Sequence, residues 1–173
     1  AQEDDLEHGA VAETKEEAKA TLTGRLSALN QAHEILTKVS WTAAPIRTVM
    51  EGALAPYRTG KGRFSVSGPD FELDAKPALS LALGLHELAA NATKYGSLSN
   101  EDGKVAISWR LETEEEQRKC IFEWRESGGP LVLPPKRQGF GSRLIESIDK
   151  SGRSGILFGS EGVHFSLVIH LDN

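Results

Sequence analysis

The chain has 173 residues, of which 39% are hydrophobic and 26% charged, and this composition excludes a collagen, a mucin or a wholly disordered chain. It has no apolar run long enough to span a membrane, its acidic N-terminus is unlike a signal peptide, and its single Cys120 excludes a disulfide framework and fits a reducing cytoplasm. The net charge of −5 arises in residues 1–17, which hold seven acidic residues and one lysine. The sequence has no basic stripe with interleaved aromatic residues, so no nucleic-acid surface is predicted.

The first predicted element is an amphipathic helix over residues 14–38. Thr14 is a suitable N-cap, and Glu17 stands where the second residue of a capping box is found. A single apolar stripe predicts that this helix packs against another helix. The stripe repeats at spacings of three and four residues and consists of Leu22, Leu26, Leu29, Ala32 and Leu36.

A second helix is predicted over residues 44–56, and its inward positions are Ile46, Val49, Met50 and Leu54. The segment RFSVSG at 63–68 alternates like a strand. A long helix follows at Pro77–Lys94. Because it is apolar on nearly every side, we expect it to be buried against a sheet.

The rest of the chain predicts two hairpins separated by a loop and a short helix. These elements are a loop at 96–103, strands at 104–112 and 119–126, a loop at 127–139, a helix at 140–152, and strands at 155–160 and 163–170. The order favours an α+β fold, a two-layer sandwich with helices on one face of a mixed, mostly antiparallel sheet.

The long helix carries polar residues in the segment HELAANATKY. Glu87 and Asn91 are four positions apart and share a face, with Lys94 close by. Carboxylate and amide oxygens can bind Mg²⁺, directly or through its water, and a lysine can contact phosphate. An amphipathic helix whose polar edge simply faces solvent explains the spacing equally well.

Two glycine-containing segments follow. In WRESGGP, Glu126 stands where a strand runs into a glycine turn that would allow close approach of a ligand, although an ordinary β-turn gives the same pattern. In GFGSR, beginning at Gly139, glycines open a helix whose N-terminal amides could bind phosphate. Taken alone, each segment is a weak signal.

The order of these segments within about 65 residues resembles the nucleotide-binding domain shared by histidine kinases, gyrase-type ATPases and heat-shock chaperone ATPases. It is most similar to the HWE subfamily of sensor histidine kinases, which is named for a His in the N box and a Trp-x-Glu in the first glycine box. Those residues are His86, Trp124 and Glu126 here. LPPKRQGFGSRLIE resembles the lid and second glycine box, and the resemblance covers about residues 20–170.

The resemblance implies ATP and Mg²⁺ as ligands. It implies that Asn91 ligates Mg²⁺, that Glu87 occupies a position where related ATPases orient water, that Lys94 contacts phosphate, and that Tyr95 flanks the nucleotide. Glu126 would accept a hydrogen bond from the adenine amino group. The other implied nucleotide-binding residues are Gly128, Gly139, Phe140, Gly141, Ser142 and Arg143.

His86 also stands in the nucleotide-site helix, and its role does not follow from the motif. A neutral imidazole packed on the sheet is the alternative to a binding role.

The resemblance further implies that residues 1–40 are the end of the dimerisation and phosphotransfer hairpin and that residues 41–173 are the ATP-binding catalytic domain. The implied reaction is transfer of the γ-phosphoryl group to a histidine, for relay to the receiver domain of a response regulator. An upstream sensor domain and a homodimer through the hairpin are the other implied partners. The chain is expected to be cytoplasmic.

No segment resembles the family's H-R-V-K-N acceptor sequence, so we expect the phosphoacceptor histidine to lie outside this chain. Two alternatives remain open: another ATPase or serine kinase of the same superfamily, and a nucleotide-binding regulatory module without kinase activity.

Overall fold

The computed structural model describes residues 15–38, 43–60, 62–133, 148–149, 153–160 and 162–171. In chain order, the helices and strands of these residues are α1 (Lys15–Lys38), β1 (Ala43–Pro45), α2 (Ile46–Leu54), β2 (Phe64–Ser67), β3 (Glu72–Asp74), α3 (Ala75–Lys94), β4 (Lys104–Glu114), β5 (Gln117–Ser127), β6 (Gly155–Gly159) and β7 (Gly162–Leu171). Short 3-10 turns follow α2 at Ala55–Tyr57 and α3 at Ser97–Ser99. The helix predicted over 140–152 lies outside the described residues except at 148–149.

Five strands form the main sheet, in the order β2-β4-β5-β7-β6. β2 runs parallel to β4, and every other neighbouring pair is antiparallel. The predicted α+β class with a mixed, mostly antiparallel sheet is therefore confirmed. β1 and β3 pair with each other as a separate two-stranded sheet, which the sequence did not predict because three residues are too few to show an alternating pattern.

One hydrophobic core joins α2 and α3 to one face of the main sheet. The predicted inward residues of α2 are all buried, and α3 is buried along most of its length. On the sheet, alternate residues such as Ile107, Phe122 and Phe165 face the helices and are almost fully buried. Each such side chain contributes about 1.5–3 kcal/mol when it leaves water, so this layer fixes the end of α3 relative to the ends of β4 and β5.

The predicted packing of α1 against other helices is confirmed, but three leucines of its predicted apolar stripe are exposed. Leu22, Leu26 and Leu29 are 59%, 52% and 40% exposed, while α1 contacts α2 and α3 through another face that includes Gly24. A Cβ atom added to Gly24 would lie 3.1 Å from Nε2 of His86, so the missing side chain lets the two helices approach closely. Within the described ranges, no helix is both long and apolar enough to cross a membrane.

Candidate functional site

The candidate site is built around a buried carboxylate at the end of β5. Glu126 is 6% exposed. Its Oε1 accepts a hydrogen bond from the indole N–H of Trp124 at 3.1 Å, and its Oε2 accepts one from the backbone N–H of Ser97 at 2.9 Å. None of the ion pairs among the described residues involves Glu126. Burying a carboxylate whose two donors among the described residues are both neutral is costly for a purely structural residue.

Glycines bring backbone into contact with this carboxylate. A Cβ atom on Gly96 would lie 2.3 Å from Oε2 of Glu126 and 2.9 Å from Cα of Ala92, so Glu126 rests directly on the chain that leaves α3. Gly128 has φ +72, and a Cβ there would lie 2.9 Å from the carbonyl oxygen of Asp102. Close packing of backbone against the loop at 96–103 therefore requires glycine at this position. Its predicted role in admitting a base stays a prediction.

Two polar side chains that the sequence analysis missed hold the same loop. The guanidinium of Arg63 donates to the carbonyl oxygens of Gly103 at 3.1 Å and of Ser97 at 3.2 Å, and also to that of Asn100. The Asn100 side chain donates to the carbonyl of Gly128 at 3.1 Å and accepts from the Gly103 amide at 2.9 Å. These contacts fix the Ser97 amide that holds Glu126. Arg63 lies 34 residues from Ser97 in sequence, so no local pattern could have identified it.

Ser97 also presents a polar group without a partner. The residue is 1% exposed, and its Oγ is buried with no hydrogen-bond partner among the described residues. A buried hydroxyl left unsatisfied costs about 1–3 kcal/mol, so the position suits a ligand that donates or accepts there. Together with the buried Glu126 carboxylate, this orphaned hydroxyl fits a polar heterocycle such as a nucleotide base.

The predicted ligand-binding face of α3 leads into this site. Asn91, Lys94 and Tyr95 are exposed at the end of the helix, and the Asn91 carbonyl accepts the amides of Tyr95 at 2.8 Å and Gly96 at 3.1 Å. The structure therefore places Asn91 one turn of backbone from the Glu126 carboxylate. Within the described ranges no group of three or more His, Cys, Asp or Glu could hold a metal ion. An Mg²⁺ ion at Asn91 would take most of its ligands from phosphate and water, as this ion commonly does.

Glu87 forms an ion pair with a residue outside the predicted motif. Its Oε1 accepts a charge-assisted hydrogen bond at 2.6 Å from Nε of Arg25, which lies on α1, and the two side chains are 15% and 35% exposed respectively. The carboxylate considered for orienting water is thus bound to a guanidinium in this structure. Arg25 is a further residue that the sequence analysis did not select, because its partner is 62 residues away.

His86 lies on the side of α3 that faces α1. The Tyr57 hydroxyl is 2.9 Å from its Nδ1 and 3.2 Å from its Nε2, and the two rings meet edge to face at 5.3 Å. Burial lowers the pKa of His86, the Arg25 charge lowers it further, and Glu87 acts in the opposite direction. Burial also raises the pKa of Tyr57 to about 12, with Glu87 adding to the effect. The lowered pKa favours the neutral imidazole at pH 7, and the ring, carried by α3, contacts both Tyr57 and α1.

The predicted second glycine box lies outside the described residues. Its predicted binding residues, all outside the described ranges, are Gly139, Phe140, Gly141, Ser142 and Arg143.

A polar cavity of about 280 Å³ lies at the opposite end of the sheet, around the tip of the β4–β5 hairpin. Its central charge is Lys119, which is almost fully buried and paired with Glu114 and, at 3.7 Å, with Glu112. Arg153 lies 3.7 Å from Glu114. These mutual pairings account for the cluster as support for the hairpin tip, remote from Glu126.

Known proteins similar to this chain are histidine kinases. Residues 9–70 match the model of the HWE histidine kinase family. A blue-light-activated histidine kinase of Brucella anthropi is 45% identical over 132 residues, which cover 76% of this chain and 27% of that protein. The corresponding kinase of Brucella ovis is 41% identical over 134 residues, which cover 77% of this chain and 27% of that protein. The chain thus spans about a quarter of the length of these relatives.

A solved structure supports the fold. The histidine kinase domain of a blue-light-activated histidine kinase from Erythrobacter litoralis has a TM-score of 0.59 and 17% sequence identity to this chain, covering 86% of this chain and 74% of that one. At this identity the likeness concerns the arrangement of helices and strands only.

Proposed function

This chain belongs to the HWE histidine kinase family, and we propose that it is the ATP-binding catalytic region of a sensor histidine kinase, transferring the γ-phosphoryl group of Mg-ATP to a histidine. Residues 1–40 are proposed as the end of the dimerisation and phosphotransfer hairpin, and residues 41–173 as the catalytic domain. The observation that carries the proposal is the buried Glu126 carboxylate, held by two neutral donors beside the end of α3.

Glu126 supplies base recognition. An ionised carboxylate has about four acceptor positions, and Trp124 and Ser97 use one each. A further acceptor position matches the exocyclic amino group of adenine, which is a hydrogen-bond donor. Guanine presents a carbonyl oxygen at the corresponding position of its ring, and two acceptors facing each other repel. The orphaned Ser97 hydroxyl adds a second polar contact, and Gly128 is proposed to leave room for the base.

The phosphate side of the site is assigned to the exposed end of α3. Asn91 is proposed as the protein ligand of Mg²⁺, Lys94 as a phosphate contact, and Tyr95 as a wall beside the nucleotide. Bound Mg²⁺ neutralises phosphate charge and orients the transferred group. The remaining proposed phosphate-binding residues are Gly139, Phe140, Gly141, Ser142 and Arg143. A nucleotide-binding role for His86, as the sequence motif suggests, would have to act through α3, since its ring faces Tyr57 and α1.

The proposed partners follow from the reaction. A phosphohistidine is a donor for an aspartate, so a response-regulator receiver domain is the proposed acceptor. An upstream sensor domain, a homodimer formed through the hairpin, and a cytoplasmic location complete the proposal. A hydrolytic ATPase of the same superfamily is less well supported, because Arg25 occupies the Glu87 carboxylate that would orient water.

Calorimetric titration with ADP, with and without Mg²⁺, tests the proposal. We expect wild-type protein to bind ADP more tightly with Mg²⁺, and Asn91→Ala to lose most of that Mg²⁺ dependence while keeping its fold, since alanine is the better helix former. Asn30→Ala is the matched control, because Asn30 is also an exposed helical asparagine but lies on α1.

Two results would contradict the proposal. Wild-type protein that binds no adenine nucleotide would remove the function altogether. An unchanged Mg²⁺ dependence in Asn91→Ala would remove the assignment of the metal ligand but leave the nucleotide site in place.

A further inference from the structure

The indole of Trp124 has a fixed direction in the core. Its side chain is 0% exposed, and the ring of Phe64 on β2 packs edge to face against it at 6.3 Å and 69°. Trp124 and Glu126 are two residues apart on β5, so their side chains lie on the same face of the sheet. The direction of the indole N–H is therefore set by packing, before any ligand is bound.

The carboxylate of Glu126 is held from both sides. Trp124 holds Oε1 at 3.1 Å, and the Ser97 amide holds Oε2 at 2.9 Å. A glutamate has three side-chain torsions, and one hydrogen bond alone would leave the carboxylate plane free to turn. With two donors on different oxygens the plane is defined, and the remaining acceptor positions point in defined directions. Neither donor is charged, so the negative charge stays available to a third donor.

We propose that Trp124 is a positioning residue for base recognition: its indole N–H fixes the Glu126 carboxylate in the orientation that selects a purine with an amino group at C6 over one with a carbonyl group at C6. This inference rests on the proposed function, since it assumes that Glu126 faces the base. According to this inference, Trp124 determines the preference for an adenine over a guanine nucleotide rather than the overall affinity for nucleotides.

The test compares two tryptophans. Trp124→Phe keeps most of the buried ring and removes the N–H. Trp109→Phe on the neighbouring strand β4 is the matched control, because Trp109 is also buried and its indole N–H donates to the carbonyl of Pro69 at 2.7 Å. Dissociation constants for Mg-ADP and Mg-GDP are measured for wild type, both variants and Glu126→Gln.

We expect Trp124→Phe to lower the preference for ADP over GDP about tenfold, as for one lost hydrogen bond to a charged group. Trp109→Phe is expected to leave the preference unchanged even if it lowers the melting temperature. An unchanged preference in Trp124→Phe would overturn the inference, as would an equal loss in Trp109→Phe.

A spectroscopic measurement keeps the inference testable if Trp124→Phe does not fold. The assigned ¹H–¹⁵N indole signal of Trp124 is expected to shift when ADP is added to the wild-type protein. It is also expected to differ between wild type and Glu126→Gln, because ligand binding and the substitution each alter the group that accepts the indole hydrogen bond. A Trp124 signal that responds to neither change contradicts the inference.

The same measurements separate this inference from the proposed function. If wild type binds neither nucleotide, the proposed function fails and this inference fails with it. If wild type prefers ADP and Glu126→Gln removes that preference while Trp124→Phe retains it, the proposed function stands and the positioning role of Trp124 is wrong.

Discussion

The ion pair between Arg25 and Glu87 should contribute measurably to the docking of α1 on α3. Nε of Arg25 lies 2.6 Å from Oε1 of Glu87, and the side chains of Arg25 and Glu87 are 35% and 15% exposed respectively. Fully exposed ion pairs contribute about 0.2–1 kcal/mol, whereas hydrogen bonds to charged groups in buried settings contribute about 1.5–3 kcal/mol. For a pair between these two limits we expect a coupling energy of about 1–2 kcal/mol.

A double-mutant cycle measures this coupling. Urea denaturation of wild type, Arg25→Ala, Glu87→Ala and the double variant gives four free energies of unfolding, from which the pairwise energy is obtained. Arg25→Ala should cost more than Glu87→Ala, because it leaves the less exposed of the two charges without its partner. Repeating the cycle in 0.5 M NaCl should lower the coupling only partly, since half-buried pairs are weakly screened.

The pair formed by Arg47 and Asp70 provides the comparison. Nε of Arg47 lies 3.0 Å from Oδ1 of Asp70, and the two side chains are 40% and 82% exposed respectively. Their coupling energy should therefore fall in the range of surface ion pairs, below about 1 kcal/mol. A coupling between Arg25 and Glu87 that is no larger than this would refute the reasoning, because it would show that the contact does not help to hold α1 in place.

Two further predictions concern residues remote from the site. Cys120 is 0% exposed, and burial raises the pKa of its thiol to about 12. Since the thiolate is the reactive form, labelling by a thiol reagent at pH 8 should be negligible in the native protein and rapid in urea. Rapid labelling of the native protein would contradict the described burial. Glu116 has φ +67 at the tip of the β4–β5 hairpin, so Glu116→Gly should raise the free energy of unfolding by about 0.5–1 kcal/mol, while Glu116→Ala, which loses the side chain but keeps Cβ, should give no gain.

Much of the fold could be predicted because its signals are local. The apolar character of Pro77–Lys94 predicted a buried helix. The alternation of apolar and polar residues in 104–112 and 119–126 predicted a hairpin, because side-chain periodicity reflects the burial of one face. The Glu126 carboxylate was found by the same kind of local signal, a charged residue that ends a strand before two glycines.

Contacts between distant segments could not be predicted in this way. Arg25 meets Glu87 across 62 residues, and Arg63 meets Gly103 across 40, so neither contact leaves a periodic trace. The exposure of three leucines of the α1 stripe could not be predicted for a related reason. Periodicity shows that a face is apolar, but it does not show whether that face lies against the rest of this chain.

The parallel pairing of β2 with β4 has a consequence for the order of folding. Antiparallel neighbours such as β4 and β5 are joined by a two-residue turn at Glu115–Glu116, so they can pair as soon as a short loop closes. Parallel strands need a crossover, and here the connection runs through the whole of α3. Glu126 belongs to the β4–β5 hairpin, whereas Ser97 lies in the crossover between β2 and β4. We therefore expect the carboxylate to be placed first and to receive its amide partner only when the slower, less local contacts form.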